Sequence, residues 1–269
     1  MNPPTLPESP IQTRVPALRG FWSAGWRAVR AGLDRSLCRI CGAWSADVFC
    51  ADCRDVWAAP RWRCAHCAIG LPDVLPDVLP DVLVRTPADP ICADCRRVRP
   101  AFDAAWAALD YGPPWDRLIA AFKFHAAPEL AGPLAGLMHR ALPADAERPD
   151  LLVPVPLTAE RWRERGYNQA WELARRLGPA MNLPVREDLI ERLVGGEHQA
   201  ALGGEARRRQ VRGAYAVPAE ARAALAGMHV GLVDDVMTTG ATLAECARVL
   251  RRAGARRVTV WALARTPAD

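Results

Sequence analysis

Lysine is almost absent from this chain. Of its 35 basic residues only Lys123 is a lysine, and the remaining 34 are arginine. Most of that excess reads as coding bias. It makes the one exception notable, because a lysine ammonium is a compact point charge that the arginine fork cannot mimic everywhere. Long apolar runs are missing too. Nothing approaches the ~18 uninterrupted apolar residues that a membrane-spanning helix needs. The first residues are polar and proline-rich, without the apolar centre of a secretion signal, so a cytoplasmic location is expected. Strong charge of either sign is also lacking. The formal net charge of +5 permits polyphosphate or nucleic-acid partners without demanding them. What remains is a globular composition, 51% hydrophobic and 24% charged. At 269 residues the chain is long enough for a sizeable core in one or two domains.

Cysteine, by contrast, is concentrated. Eight of the nine cysteines form four CxxC pairs: Cys38/Cys41, Cys50/Cys53, Cys64/Cys67 and Cys92/Cys95. A CxxC turn points two thiolates at one metal, and two such turns complete a tetrahedral zinc site. Four pairs therefore supply ligands for two closed Cys₄ sites. Sequential pairing is the simplest arrangement, and interleaved pairing remains open. Disulfides do not suit a reduced compartment, and redox chemistry would need one pair rather than four. With no open coordination position these sites are structural, and a segment so small and loop-rich depends on metal to fold. Residues 71–82 repeat LPDV three times inside the second framework. Proline at every fourth position excludes a regular helix or central strand, so a tolerated loop expansion is expected.

The ninth cysteine, Cys246, shares a helical stripe with Leu243, Ala247 and Leu250 and is expected in the core. Just before it, Val230–Thr242 reads VGLVDDVMTTGAT. An apolar strand ends there in Asp234 and Asp235. A small turn follows at Thr238, Thr239, Gly240, Ala241 and Thr242, and then a helix begins. Backbone N–H groups at a helix start hold anions. Carboxylates at the C-terminal end of a strand sit where open α/β sheets keep their ligands. The arrangement suits a sugar phosphate.

Upstream the chain alternates strands and helices, which implies a parallel sheet. Residues 102–111 read as a strand. Trp115, Leu118, Ile119 and Phe122 mark one helix face, with Lys123 beside that face at a cleft edge. A second helix is expected over 128–142 and a short buried strand over 151–156. A charge-dense stretch then carries Arg161, Arg163 and Arg165, which suit a pyrophosphate; a solvated basic turn partly neutralised by Glu160 and Glu164 is the plainer reading. Asn168 caps a helix running to Leu177, with Gly178 as its stop. Residues 195–213 combine glycine pairs with arginines and suggest a flap. A last strand is expected over 258–263.

The signature closely resembles the 5-phosphoribosyl-1-pyrophosphate (PRPP) motif of type I phosphoribosyltransferases. Together with the four CxxC pairs, FKFH at 122–125 and VPVPL followed by RERGYNQ within 153–169, the whole resembles the ComF family. That resemblance implies a type I phosphoribosyltransferase-like parallel sheet flanked by helices, with a small N-terminal double zinc ribbon. It divides the chain into a tail over 1–37, the ribbon over 38–99 with its repeat insertion at 71–83, and the transferase domain over 100–269. It implies that Asp234 and Asp235 hold the ribose hydroxyls of PRPP and that residues 238–242 hold its 5′-phosphate. Mg²⁺ accompanies the ligand, and Lys123, Arg161 and Arg165 face the leaving diphosphate. Asn168 and Gln169 carry over as site residues on the same match. In the flap the resemblance lapses, at Gly196 and at Gln210. ComF proteins are associated with DNA uptake during natural competence, so DNA-uptake proteins are implied as partners.

Two other readings stand beside transfer to an unknown nucleophile. One is a domain that senses PRPP or a nucleotide without turnover. The other is single-stranded DNA held by the ribbon, where Trp44, Trp57 and Trp62 lie among Arg54, Arg61 and Arg63. Packing around the metal is the simpler role for those tryptophans. Residues 17–33 suggest a basic amphipathic helix packed on the body.

Overall fold

A computed structural model describes residues 36–72, 90–143, 146–193 and 211–267. The chain parts into two compact units between Cys50 and Ala51. In the first, β1 (Ser36–Leu37) pairs antiparallel with β2 (Trp44–Ser45). The turn between them is closed by N–H groups of Cys38 and Gly42 on the carbonyls of Ala43 and Cys38.

The second unit opens with α1 (Ala51–Trp57) and, further on, α2 (Ala93–Arg97). It continues through β3 (Ala104–Asp110), α3 (Trp115–Phe124), α4 (Ala131–Ala141), β4 (Leu151–Pro154), α5 (Ala159–Arg165) and α6 (Gln169–Met181). Then come β5 (Glu191–Arg192), β6 (Tyr215–Ala216), α7 (Arg222–Leu225), β7 (His229–Met237), α8 (Ala241–Arg252) and β8 (Arg257–Arg265). Strands β3, β8, β7 and β4 lie side by side in that order, every pair parallel. The two innermost, β7 and β8, are buried almost throughout and read as near-continuous apolar runs, as a sheet covered on both faces requires. Helices α4 and α6 cover one face through Leu134, Met138, Leu173 and Leu177. Helix α8 packs Leu243, Cys246, Ala247 and Leu250 into the core, the stripe expected from the sequence.

The loop of the second cysteine group is stitched onto the sheet. Ala105 N–H donates to the Ala65 carbonyl at 3.0 Å, and His66 Nδ1 lies 3.0 Å from the Asp103 carbonyl. Arg61 and Arg63 both pair with Asp110 at the end of β3.

Four expectations need correction. The basic stretch after β4 is the helix α5 and not a turn, because Thr158 caps it by accepting from the Arg161 N–H at 3.1 Å and Gly166 ends it. Helix α6 runs past Gly178 to Met181 and stops at Asn182, which takes the left-handed conformation. Gly178 is there for space: a Cβ would stand 2.4 Å from Val185 Cγ2 and 2.8 Å from the Leu183 carbonyl oxygen. Strand β7 continues beyond the two acids to Met237, so they sit within it rather than at its end. Trp44, Trp57 and Trp62 are 73%, 50% and 48% exposed, and therefore do not serve mainly as packing around a metal. The expected helix over 17–33, nearly all of the LPDV repeat and most of the 195–213 loop lie outside the described residues. Among the described residues no helix is long and apolar enough to cross a membrane.

Candidate ribose-phosphate site and cysteine clusters

At the C-terminal ends of the parallel strands lies a cavity of about 450 Å³. The position is the one at which open α/β sheets bind ligands, because strand ends and helix starts converge there. Twelve residues that the resemblance and the signature assign to ligand binding line it: Lys123, Arg161, Arg165, Asn168, Gln169, Asp234, Asp235 and the five residues 238–242.

Each is placed by a local device. Gly240 has φ +73°, a left-handed conformation that favours glycine at the start of α8. The Thr239 hydroxyl accepts from the Ala241 N–H at 3.4 Å. The remaining first-turn N–H groups of this 12-residue helix have no intrahelical partner, and Ala241, Thr242 and Leu243 line the cavity. Asp234 and Asp235 each accept the N–H of the next residue, at 2.9 and 2.5 Å, which fixes their carboxylates. Lys123 reaches from the last turn of α3 and sets its Nζ 3.0 Å from Asp235 Oδ1. Burial, then the neighbouring Asp235 charge, pushes the Asp234 carboxyl up to about 7.

Helix α5 divides its arginines. Arg161 and Arg165, one turn apart, enter the cavity, while Arg163 is exposed on the other side. The pyrophosphate role expected of three arginines in this stretch thus rests on two. Arg165 Nη1 donates to Gln169 Oε1 at 2.9 Å, and its guanidinium lies 4.9 Å from the centre of the exposed Phe124 ring. Asn168 is committed to the frame. Its Nδ2 donates to the Val155 carbonyl and its Oδ1 accepts from the Ala170 N–H, both at 3.0 Å. Sequence reasoning passed over Tyr111, Arg192 and Tyr215, which also line the cavity. Arg192 and Tyr215 come from a two-stranded pair too short to show alternation. The chain has only three tyrosines, and two of them line this cavity, a rarity that was a usable signal.

The eight paired cysteines form two groups, Cys38/Cys41/Cys50/Cys53 and Cys64/Cys67/Cys92/Cys95, in the sequential pairing. Within each group all four sulfurs lie within 4.8 Å of one another. The Cys41–Cys50 and Cys67–Cys92 separations are 3.8 and 3.7 Å. Four sulfurs ~2.3 Å from a central zinc define a tetrahedron with edges of ~3.8 Å, so the spacing fits the ion. Further N–H groups point at the sulfurs: Cys50 N–H to Cys38 Sγ and Cys92 N–H to Cys64 Sγ, both 3.3 Å. Burial raises the Cys38 thiol, but N–H groups of Cys41, Cys50 and Ile40 outweigh it and bring the thiol down to about 6. Burial and the adjoining Cys64 and Cys92 push Cys67 up to about 11, as expected of thiols crowded together without a cation. Both groups are suited to hold zinc.

Residues 165–269 match the phosphoribosyl transferase domain family. Competence protein F of Haemophilus influenzae is 33% identical over 180 residues, 65% of this chain and 78% of that protein. DNA utilization protein YhgH of Escherichia coli K12 is 30% identical over 241 residues, 86% of this chain and 97% of that protein. The chain belongs to the ComF family. Competence protein ComFC of Bacillus subtilis matches this ComF chain over a shorter stretch, 34% identical across 39% of each. A glutamine phosphoribosylpyrophosphate amidotransferase of B. subtilis overlays at a TM-score of 0.37 and 18% identity, over 54% of this chain and 30% of that one. The domain match begins inside α5. Lys123 and Arg161, which line the ComF cavity, therefore lie outside it.

Proposed function

We propose that this ComF protein binds PRPP, or a closely related ribose phosphate, together with Mg²⁺. The observation that carries the reading is the convergence of three kinds of group on one cavity: a pair of carboxylates, a helix start with three threonines, and arginines. Asp234 and Asp235 take the ribose hydroxyls, since a carboxylate accepts two hydroxyl hydrogen bonds at once. The N–H groups and hydroxyls of 238–242 take the 5′-phosphate. Lys123, Arg161 and Arg165 face the diphosphate on C1. Mg²⁺ would be held by the two acids and by ligand oxygens while keeping several waters, and would neutralise diphosphate charge. The same groups serve transfer. As an acceptor's lone pair bonds to C1 and the C1–O bond breaks, the cations stabilise the departing diphosphate and the acids hold the ribose in position. We place this binding in DNA uptake or use, on the names of the relatives. Zinc in the two cysteine groups serves folding.

A thermal-shift titration with PRPP, ribose 5-phosphate, nucleotides and single-stranded DNA, with and without Mg²⁺, tests the reading. PRPP with Mg²⁺ is expected to give the largest stabilisation, rising with concentration as binding to the native state requires. No shift with any ribose phosphate would sink it.

The exposure of Trp57 and Trp62 favours a second role, stacking of single-stranded DNA bases on these side chains. Binding that weakens steeply with salt and falls after Trp57→Ala and Trp62→Ala supports it.

A further inference from the structure

Several arginines among the described residues are paired with carboxylates. Arg61 and Arg63 meet Asp110, Arg175 and Arg176 meet Glu172, Arg248 meets Glu245, and Arg256 and Arg257 meet Glu147. The three that line the cavity differ. Among the described residues neither Arg161, Arg165 nor Arg192 has a carboxylate at ion-pair distance, although Asp234 and Asp235 line the same space. Burial, then the charges of Arg165 and Arg192, pulls Arg161 below the usual guanidinium range, so the three charges feel one another.

The hydrogen-bond inventory points the same way. Among the described residues, two buried side-chain atoms of the cavity lining have no well-formed hydrogen bond, Arg165 Nε and Gln169 Nε2, and both are donors. Gln169 is only 1% exposed, its oxygen is already taken by Arg165, and its amide lies beside the Tyr167 hydroxyl without a well-formed hydrogen bond. Orphaned buried donors are costly, and a ligand rich in acceptor oxygens relieves them.

Arg192 comes from a different part of the chain. It stands directly across the β5–β6 pair from Tyr215. Its Nη1 donates to the Tyr215 hydroxyl at 3.0 Å, and its guanidinium lies 5.3 Å from the centre of that ring. The tyrosine is buried and the pair is anchored to α8, where Glu245 accepts the Gly213 N–H at 2.9 Å. Arg192 is thus a pre-positioned cation aimed into the cavity, with its remaining N–H groups free of protein acceptors among the described residues.

We infer that Arg192, held by Tyr215, contacts the anionic substituent on ribose C1 and makes the site selective for a diphosphate-bearing ligand over ribose 5-phosphate. Tyr215 is a positioning residue. This rests on the ribose-phosphate reading above and assigns the diphosphate end a contact outside the α5 arginines.

Calorimetric titration of the zinc-loaded protein tests it, with PRPP, ribose 5-phosphate and inorganic pyrophosphate, each with Mg²⁺. Arg192→Ala is expected to weaken PRPP and pyrophosphate ~10-fold or more, as loss of a charge-assisted contact does, with ribose 5-phosphate changed less than ~2-fold. Arg192→Lys should recover part of the loss. Tyr215→Phe keeps the ring and removes the acceptor, and should lower the PRPP to ribose 5-phosphate affinity ratio by a few-fold. Unchanged PRPP affinity in Arg192→Ala, or equal loss for both sugar phosphates, overturns the inference and leaves the ribose-phosphate reading standing. Failure of the unmodified protein to bind either sugar phosphate overturns that reading and this one with it.

Discussion

Arg265 donates its Nε–H to the carbonyl oxygen of Cys67 at 3.0 Å. The same guanidinium donates through Nη1 to the carbonyls of Met237, at 3.2 Å, and Thr266, at 2.7 Å. Cys67 belongs to the second cysteine group and Met237 is the last residue of β7 before the phosphate-type loop. One buried side chain therefore spans the metal framework and the base of the candidate site.

Replacing Arg265 by Met should be severe. The side chain is of similar length, but three carbonyls lose their donor where water has little access. A loss of ~2–4 kcal/mol is expected, from one to two buried groups left unpaired. Urea denaturation at fixed zinc measures it, and a change below ~0.5 kcal/mol would show that the bridge contributes nothing.

Zinc content should be two ions per chain, one for each cysteine group. Cys95→Ser should remove one ion, and a strong chelator should unfold the region around the vacated group, since the metal supplies folding energy there. Atomic emission on purified protein counts the ions. Iron in their place, or zinc unchanged in the variant, would contradict the assignment.

Gly178→Ala separates helix propensity from packing. Position 178 is interior to α6, where alanine exceeds glycine by ~1 kcal/mol in an open helix. Here the new Cβ meets Val185 and the Leu183 carbonyl, so a net loss of ~1–3 kcal/mol is expected. Thermal unfolding of the single variant decides the sign.

Asp234 gives the ligand-free protein a characteristic pH dependence. Its carboxyl is raised in the folded state to about 7, above the ~4 of an unfolded chain. The folded state binds the extra proton between those values, so this group's contribution to stability falls as pH rises from ~4 to ~7 and stays lost above that. Asp234→Asn removes the term. Its melting temperature relative to the unmodified protein should climb through that window and level off near pH 8. A flat difference would show that Asp234 titrates normally.

Much of this was legible because it is local. The apolar runs of β7 and β8, the Leu243/Cys246/Ala247/Leu250 stripe, the Asn168 cap and the CxxC spacings each have their cause within a few residues. The errors came where the cause is tertiary or where two local rules compete. Gly178 was read as a helix stop, but the constraint on it is the return of Val185 against the helix. The α5 arginines were not read as a helix because charge density hid a capping threonine before them and a stop glycine after. Arg192 and Tyr215 were missed because nothing in either two-residue strand reveals that they face one another across 23 positions of sequence. Arg265 lies just past the strand expected over 258–263, and only the fold brings it to Cys67.

The carboxylate pair is the part of the ligand assignment most open to a direct test. Isothermal titration of PRPP with Mg²⁺ into the unmodified protein and into the Asp234→Asn, Asp235→Asn double variant tests it most directly, with zinc content and melting temperature as checks on folding. The account predicts saturable binding to the unmodified chain and a loss of ~100-fold or more in the variant, as expected when two charge-assisted contacts are removed together. Equal affinity in the two proteins would contradict it.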